Sequence, residues 1–174
     1  MLRYLLMGTA LSCFILPTAS SAVAAEPATG IVETGLRKAV DVALAHTSGQ
    51  VLEVEREYKD GKQVYEVDIV HGNQLTEVSV DVIEQKVIRA KTDDVKHRIK
   101  KSLISDKTLA ALRGAKVTLP EAIAKAEEAR QAKASEVDFK REDGRYVYEI
   151  KMQANDKHME VLVDINTGEL REES

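Results

Sequence analysis

From Leu36 onward the chain switches between two hydrophobic periods. Leu36, Ala39, Val40, Ala43, Leu44 and Thr47 recur at helical spacing and predict a helix with one narrow, alanine-rich apolar stripe. Period two then takes over. Leu52, Val54 and Tyr58 alternate with Glu53, Glu55 and Glu57, and after a Lys59-Asp60-Gly61-Lys62 turn Tyr65, Val67 and Ile69 alternate with Val64, Glu66 and Asp68. Asp-Gly between alternating apolar runs is a strong hairpin signal. His71-Gly72-Asn73-Gln74 marks a second turn. Val78 and Val80 then alternate with Glu77, Ser79 and Asp81, and a short last strand holds Val87 and Ile88. This pattern predicts antiparallel strands with one face under the helix and one face wet and acidic.

The pattern occurs twice, in one ungapped register. An offset of 83 carries Leu36 to Leu119, Ala39 to Ala122, Val54 to Val137, Asp60-Gly61 to Asp143-Gly144, Tyr65 to Tyr148, Glu66 to Glu149, Val80 to Val163 and Asp81 to Asp164. Conservative pairs fill the gaps, including Val40 with Ile123 and Val67 with Ile150. Repetition of this kind marks a duplicated structural unit. The second helix has a clear start: Thr118 and Glu121 make a T-x-x-E capping box, and Pro120 suits the first turn. The fold class is therefore α+β, two tandem modules that each pack a helix on three or four antiparallel strands. Leu36, Val40, Val67, Val78 and Val80 should form the core of the first, and Leu119, Ile123, Ile150, Val161 and Val163 that of the second.

Residues 26–90 make the first module and 116–174 the second, with a helical connecting segment at 91–115. Val95, Ile99 and Leu103 keep helical spacing there, and Asp106 to Arg113 reads as a second short helix stopped by Gly114. Apolar stripes in this segment imply docking on a module, which limits the freedom between the copies. Residues 1–25 read as a secretory signal. Arg3 supplies the positive end, Tyr4 to Leu16 form an apolar run too short to span a bilayer, and small residues follow Pro17, with cleavage expected near Ala24/Ala25. The expected location is periplasmic or secreted.

Composition adds constraints. The only cysteine, Cys13, lies inside the apolar run, where Leu11 spoils a lipid-attachment signal, so the modules hold together without disulfides. Cores of roughly 65 residues are marginal, which makes packing between the copies important. The formal charge of −4 argues against nucleic acid as a partner. His46, His71, His97 and His158 form no metal-binding pair, and no nucleophile motif is present, so no catalytic, cofactor or metal site is assigned.

The alanine-rich helix, Gly61-Lys62-Gln63-Val64-Tyr65-Glu66-Val67 and Glu77-Val78-Ser79-Val80-Asp81 resemble the PepSY domain family. So do Gly144-Arg145-Tyr146-Val147-Tyr148-Glu149-Ile150, Glu160-Val161-Leu162-Val163-Asp164 and the closing Asn166-Thr167-Gly168-Glu169-Leu170. Glu84-Gln85-Lys86 departs from that Thr-Gly ending, so a different last turn is expected in the first module. The resemblance implies small non-catalytic modules of secreted and membrane-bound proteins, among them metalloprotease propeptides, that inhibit or regulate peptidases. It implies no set of functional residues.

Function on this reading is periplasmic binding or regulation, as a peptidase inhibitor or a modulator of an envelope protein. The partner would be an envelope peptidase or a membrane sensor. The alternative is metal-ion or small-ligand sensing through the acidic sheet faces, where Glu66, Glu77, Asp81, Glu149, Glu160 and Asp164 gather. Asp81 and Asp164 begin turns, however, and a local backbone role suits them better. Tyr65 and Tyr148 read as core aromatics, His71 and His158 as exposed. Residues that differ between the copies are the better interface candidates: Tyr146, matched by Gln63, and the basic run Lys96, Arg98, Lys100 and Lys101, which is suited to an acidic partner or anionic lipid.

Overall fold

A computed structural model describes residues 35–95, 105–154 and 157–172. The expected signal segment, the basic run at Lys96, Arg98, Lys100 and Lys101, and the Asn155-Asp156 turn lie outside the described residues. Each module is α+β, as the periodicities predict. The first holds α1 (Leu36–His46), β1 (Gln50–Lys59), β2 (Lys62–His71), β3 (Gln74–Asp81) and β4 (Val87–Asp94). After α2 (Asp106–Arg113), the second holds α3 (Leu119–Arg130), β5 (Lys133–Glu142), β6 (Arg145–Ala154), β7 (Lys157–Asp164) and β8 (Leu170–Glu172). β4 is longer than the short strand expected and takes in residues 91–94, which the pattern had placed in the connecting segment.

Local chemistry explains the element ends. Asp60 and Gly61, with φ of 49° and 80°, and Asp143 and Gly144, with 48° and 79°, form left-handed two-residue hairpin turns matched to strand twist. At α3 the Thr118 side chain accepts from the Glu121 N–H, and the Thr118 N–H donates to Glu121 Oε2 at 2.9 Å. The capping bonds hold the Glu121 carboxyl below its ordinary pKa. Ser105 caps α2, and Gly114 ends it.

The last turn of each module is built the same way. Asp81 Oδ1 accepts from the N–H groups of Ile83 and Glu84 at 2.9 and 2.8 Å. Asp164 Oδ1 accepts from Asn166 and Thr167 at 2.9 and 3.0 Å. This corrects the expectation that the first module's turn differs. Gln85, at φ 51°, takes the left-handed backbone position that Gly168 fills at φ 69°. Its side-chain N–H donates to the Val82 carbonyl at 2.8 Å, which offsets part of the steric cost.

The two modules form a single eight-stranded sheet in the order β4-β3-β2-β1-β5-β6-β7-β8. β1 pairs antiparallel with β5 through Glu53 with Asp138 and Val54 with Val137. Val54 and Val137 are each other's repeat equivalents, so the join is isologous, like a two-fold dimer interface inside one chain. Both seam strands carry a bulge at the same repeat position, between Val51 and Glu53 and between Ala134 and Glu136.

One core runs beneath both halves. α1 touches β2 and β3 of its own module, β5 of the other, and α3. All ten residues named as core by periodicity are buried and belong to this one cluster. α2 touches both seam strands, β1 and β5, and buries Leu109 and Leu112. The Arg113 guanidinium donates to the Gly72 carbonyl, which ties the connecting segment to the first module.

The seam and the turns make two predictions. Val54→Ala removes wholly buried volume at the seam and should cost about 2 kcal/mol. Because the core is shared, probes in either module should report one common urea transition; separate midpoints would show independent modules. Asp164→Ala orphans two N–H groups and should cost about 2 kcal/mol, with Asp81→Ala acting in the same direction. In Asp81 the backbone bond from Glu84 leads in lowering the pKa. In Asp164 burial pushes the pKa up, but the bonds from Asn166 and Thr167 outweigh it and the net shift is down. This stability is therefore present above the unfolded carboxyl pKa of about 3.9 and lost as pH falls through the lower folded value. Acid titration of the two variants should be flatter in that range than that of the native chain.

Candidate functional site

The sheet face turned away from α1 and α3 carries the charged residues of both modules. Strand pairing places Glu53, Asp68, Glu77 and Lys91 in one row across the first module, and Glu55, Glu66, Ser79 and Arg89 in the next. Paired residues share a face, so both rows and Glu57 stand on this outer side. The face is not simply wet. Val64, Asp68, Ser79, Val147, Glu149 and Leu162 are all buried on it. Lysine and glutamate stems around them cover apolar and polar groups alike while their charged ends reach water.

The two halves of this face differ in charge, against the expectation of two acidic faces. In module one, Glu53, Glu55, Glu57, Glu66 and Asp68 line one recess of about 230 Å³. Lys59 reaches in: its Nζ lies 3.3 Å from both Glu57 and Glu77 and also meets Glu66. In module two the equivalents of Glu57 and Asp68 are Lys140 and Lys151. Lys140 lies 2.7 Å from Glu149 and 3.5 Å from Glu142. Lys151 meets Glu136 and lies 3.9 Å from Asp138. Its hydrogen bond to Glu136, together with the nearby carboxylates, raises the Lys151 pKa against the effect of burial. Sequence reading missed both lysines because nothing local shows that they stand among carboxylates; the register of β5 with β6 brings them there.

The remaining candidates fall as follows. Tyr65 and Tyr148 are core residues; burial raises both hydroxyl pKa values, that of Tyr148 to about 12, while Arg56 partly opposes the rise at Tyr65. His71 and His158 are exposed. Tyr146 is half-buried, stacked on Phe139 with centroids 5.8 Å apart, and the Arg141 guanidinium lies 5.9 Å from its ring centre. Its position is explained by cross-strand pairing: Arg141 faces Tyr146 in module two, and Tyr58 faces Gln63 in module one, so this one pair of positions carries a tyrosine in each hairpin, on opposite strands. Tyr58 is largely exposed. A pocket of about 180 Å³ lies among Leu44, Val51, Val117, Leu119, Pro120 and Tyr148, small for a ligand site. Among the described residues no helix is long and apolar enough to cross a membrane.

A tandem helix-on-sheet repeat with a charged outer face matches one family model twice. The model for the peptidase propeptide and YPEB domain, PepSY, fits residues 36–91 and again 116–173. The chain belongs to the PepSY family. The two PepSY matches coincide with the two repeats found in the sequence. Among solved structures, a lipoprotein from Clostridium difficile 630 aligns at 17% identity and a TM-score of 0.41, covering 78% of this chain and 90% of its own. The YpeB C-terminal domain of Bacillus megaterium aligns at 14% identity and a TM-score of 0.29, covering 79% and 62% respectively. No curated protein matches the chain.

The lysines of the second PepSY module carry a direct prediction. Lys151→Gln leaves Glu136 and Asp138 beside each other without their cation. Because Lys151 is partly exposed, the loss should stay below about 1 kcal/mol. Thermal melts should show it at low salt and lose it as added NaCl screens the carboxylates. A loss unchanged by salt would show that Lys151 acts through packing.

Proposed function

We propose that this protein is an exported, non-catalytic binding module that regulates an envelope peptidase or a membrane sensor by surface contact. The observation that carries the reading is the fusion of two PepSY modules through β1 and β5 into one continuous outer face. A family described by peptidase propeptides supplies the class of partner. The signal-like segment at 1–25 supports action outside the cytoplasm, in the periplasm or as a secreted protein.

Surface recognition suits this architecture. An extended sheet presents many side chains at fixed spacing, and its rigidity lowers the ordering cost of binding. Charged groups at such a surface set the orientation and speed of encounter more than raw affinity.

The test uses the purified protein against an envelope extract of the producing cell. Immobilised protein should retain a peptidase or a membrane sensor identified by mass spectrometry, and added soluble protein should change that peptidase's turnover of a peptide substrate. Glu55→Lys combined with Glu57→Lys should weaken retention. If neither class of protein is retained and peptidase activity is unmoved, the reading fails.

A further inference from the structure

We propose that the outer face of module one binds one divalent cation of the calcium type through Glu66, Asp68 and Glu77. Carboxylate oxygens of these three residues lie within 4.8 Å of one another. Oxygens that close together can share one hard divalent cation, and calcium, which takes several carboxylates in a flexible shell at about 2.3–2.6 Å, tolerates such a loose arrangement. Magnesium dehydrates reluctantly, demands near-ideal octahedral geometry and is rarely held by protein carboxylates alone, so calcium is the better fit. With no thiol or imidazole in the group, the donor set is purely oxygen and selects a hard cation.

Ser79 is an independent sign of a ligand at this place. It is 1% exposed, and its Oγ has no hydrogen-bond partner among the described residues. Register sets Ser79 directly across from Glu66, and it stands two residues from Glu77 on the same strand face. The buried hydroxyl is therefore enclosed on the carboxylate side of the sheet. A buried polar oxygen left unpaired costs free energy, and a cation in the cluster would give it a partner.

The second module acts as an internal control. Where module one has Glu57, Asp68 and Ser79, module two has Lys140, Lys151 and Leu162. Module two thus supplies its own ammonium groups, and it has an apolar side chain where module one has the hydroxyl. Asp68 is only 3% exposed and shares its row with Glu53 and Glu77, so like charges are held close in a partly desolvated place. Lys59 covers part of this charge and is the internal competitor that the cation would displace. Arg89 and Lys91 stand at the β4 end of the same rows and are exposed.

The experiment is calorimetric titration and thermal melting of chelator-treated protein with CaCl₂, with MgCl₂ as the screening control. Calcium should bind one-to-one and raise the melting temperature progressively, with affinity in the range of about 10⁻⁴–10⁻³ M common in extracellular modules, or tighter. Lys59→Met should tighten binding. Asp68→Lys, which copies the residue module two tolerates at this position, should fold and weaken binding at least about tenfold. Glu160→Gln in module two should leave the affinity unchanged. No saturable heat and no melting shift up to about 10 mM calcium, in both the native protein and Lys59→Met, would overturn the proposal. So would an equal shift with magnesium, or native affinity in Asp68→Lys. The outcome is independent of whether a peptidase is retained.

Discussion

The structure depends on the antiparallel bonding of β1 to β5. Taken alone, each PepSY module ends its sheet on an open strand and encloses a core close to the lower limit of independent stability. Joining those two strands removes two edges and lets α1, α3 and both sheet halves share one core. Val54 opposite Val137 is the self-equivalent point of the repeat, so the join has the geometry of a symmetric dimer fixed within one chain. The edges that remain are β4, which carries Arg89, Lys91, Asp93 and Asp94, and β8, which spans only three residues. Charge and shortness both discourage further strand addition.

The same seam creates an electrostatic problem. It sets Glu53 opposite Asp138, a like-charge pair directly across an antiparallel ladder. Neighbouring cations decide how that charge is held. Lys151 reaches Asp138 from β6, while in module one Lys59 reaches Glu57, Glu66 and Glu77 from the far end of β1. The backbone is duplicated almost residue for residue, down to the bulges and last turns, but the pattern of charge is not.

Legibility in the sequence followed the range of the interaction. The Asp-Gly hairpins, the Thr118–Glu121 box and the backbone-bonding roles of Asp81 and Asp164 were readable because each rests on residues within a few positions. The first module's last turn was misjudged because Thr-Gly was taken as its requirement. The Asp81 carboxylate organises the turn instead, and Gln85 accepts the left-handed position. The seam was not readable: Val54 and Val137 look like any inward-facing strand valine, and nothing local says that their strands meet. Lys140 and Lys151 were visible as residues, but only the register of β5 and β6 shows that they stand among carboxylates.

A pseudo-symmetric sheet presents two nearly equivalent halves, so main-chain shape alone would allow a partner two opposed orientations. Side-chain charge removes that ambiguity. Module one offers a cluster of carboxylates that Lys59 enters from one end, and module two offers paired acids and lysines at the matching sites. The Coulomb difference is short-ranged at physiological salt, about 8 Å, comparable to the spacing of two strands, so each half keeps its own field. Duplication supplied the broad face, and the substitutions at the sites of Glu57, Asp68 and Ser79 gave it a direction. Selection on fold stability alone gives no reason for module one to keep carboxylates where module two shows that lysine is compatible with the same backbone.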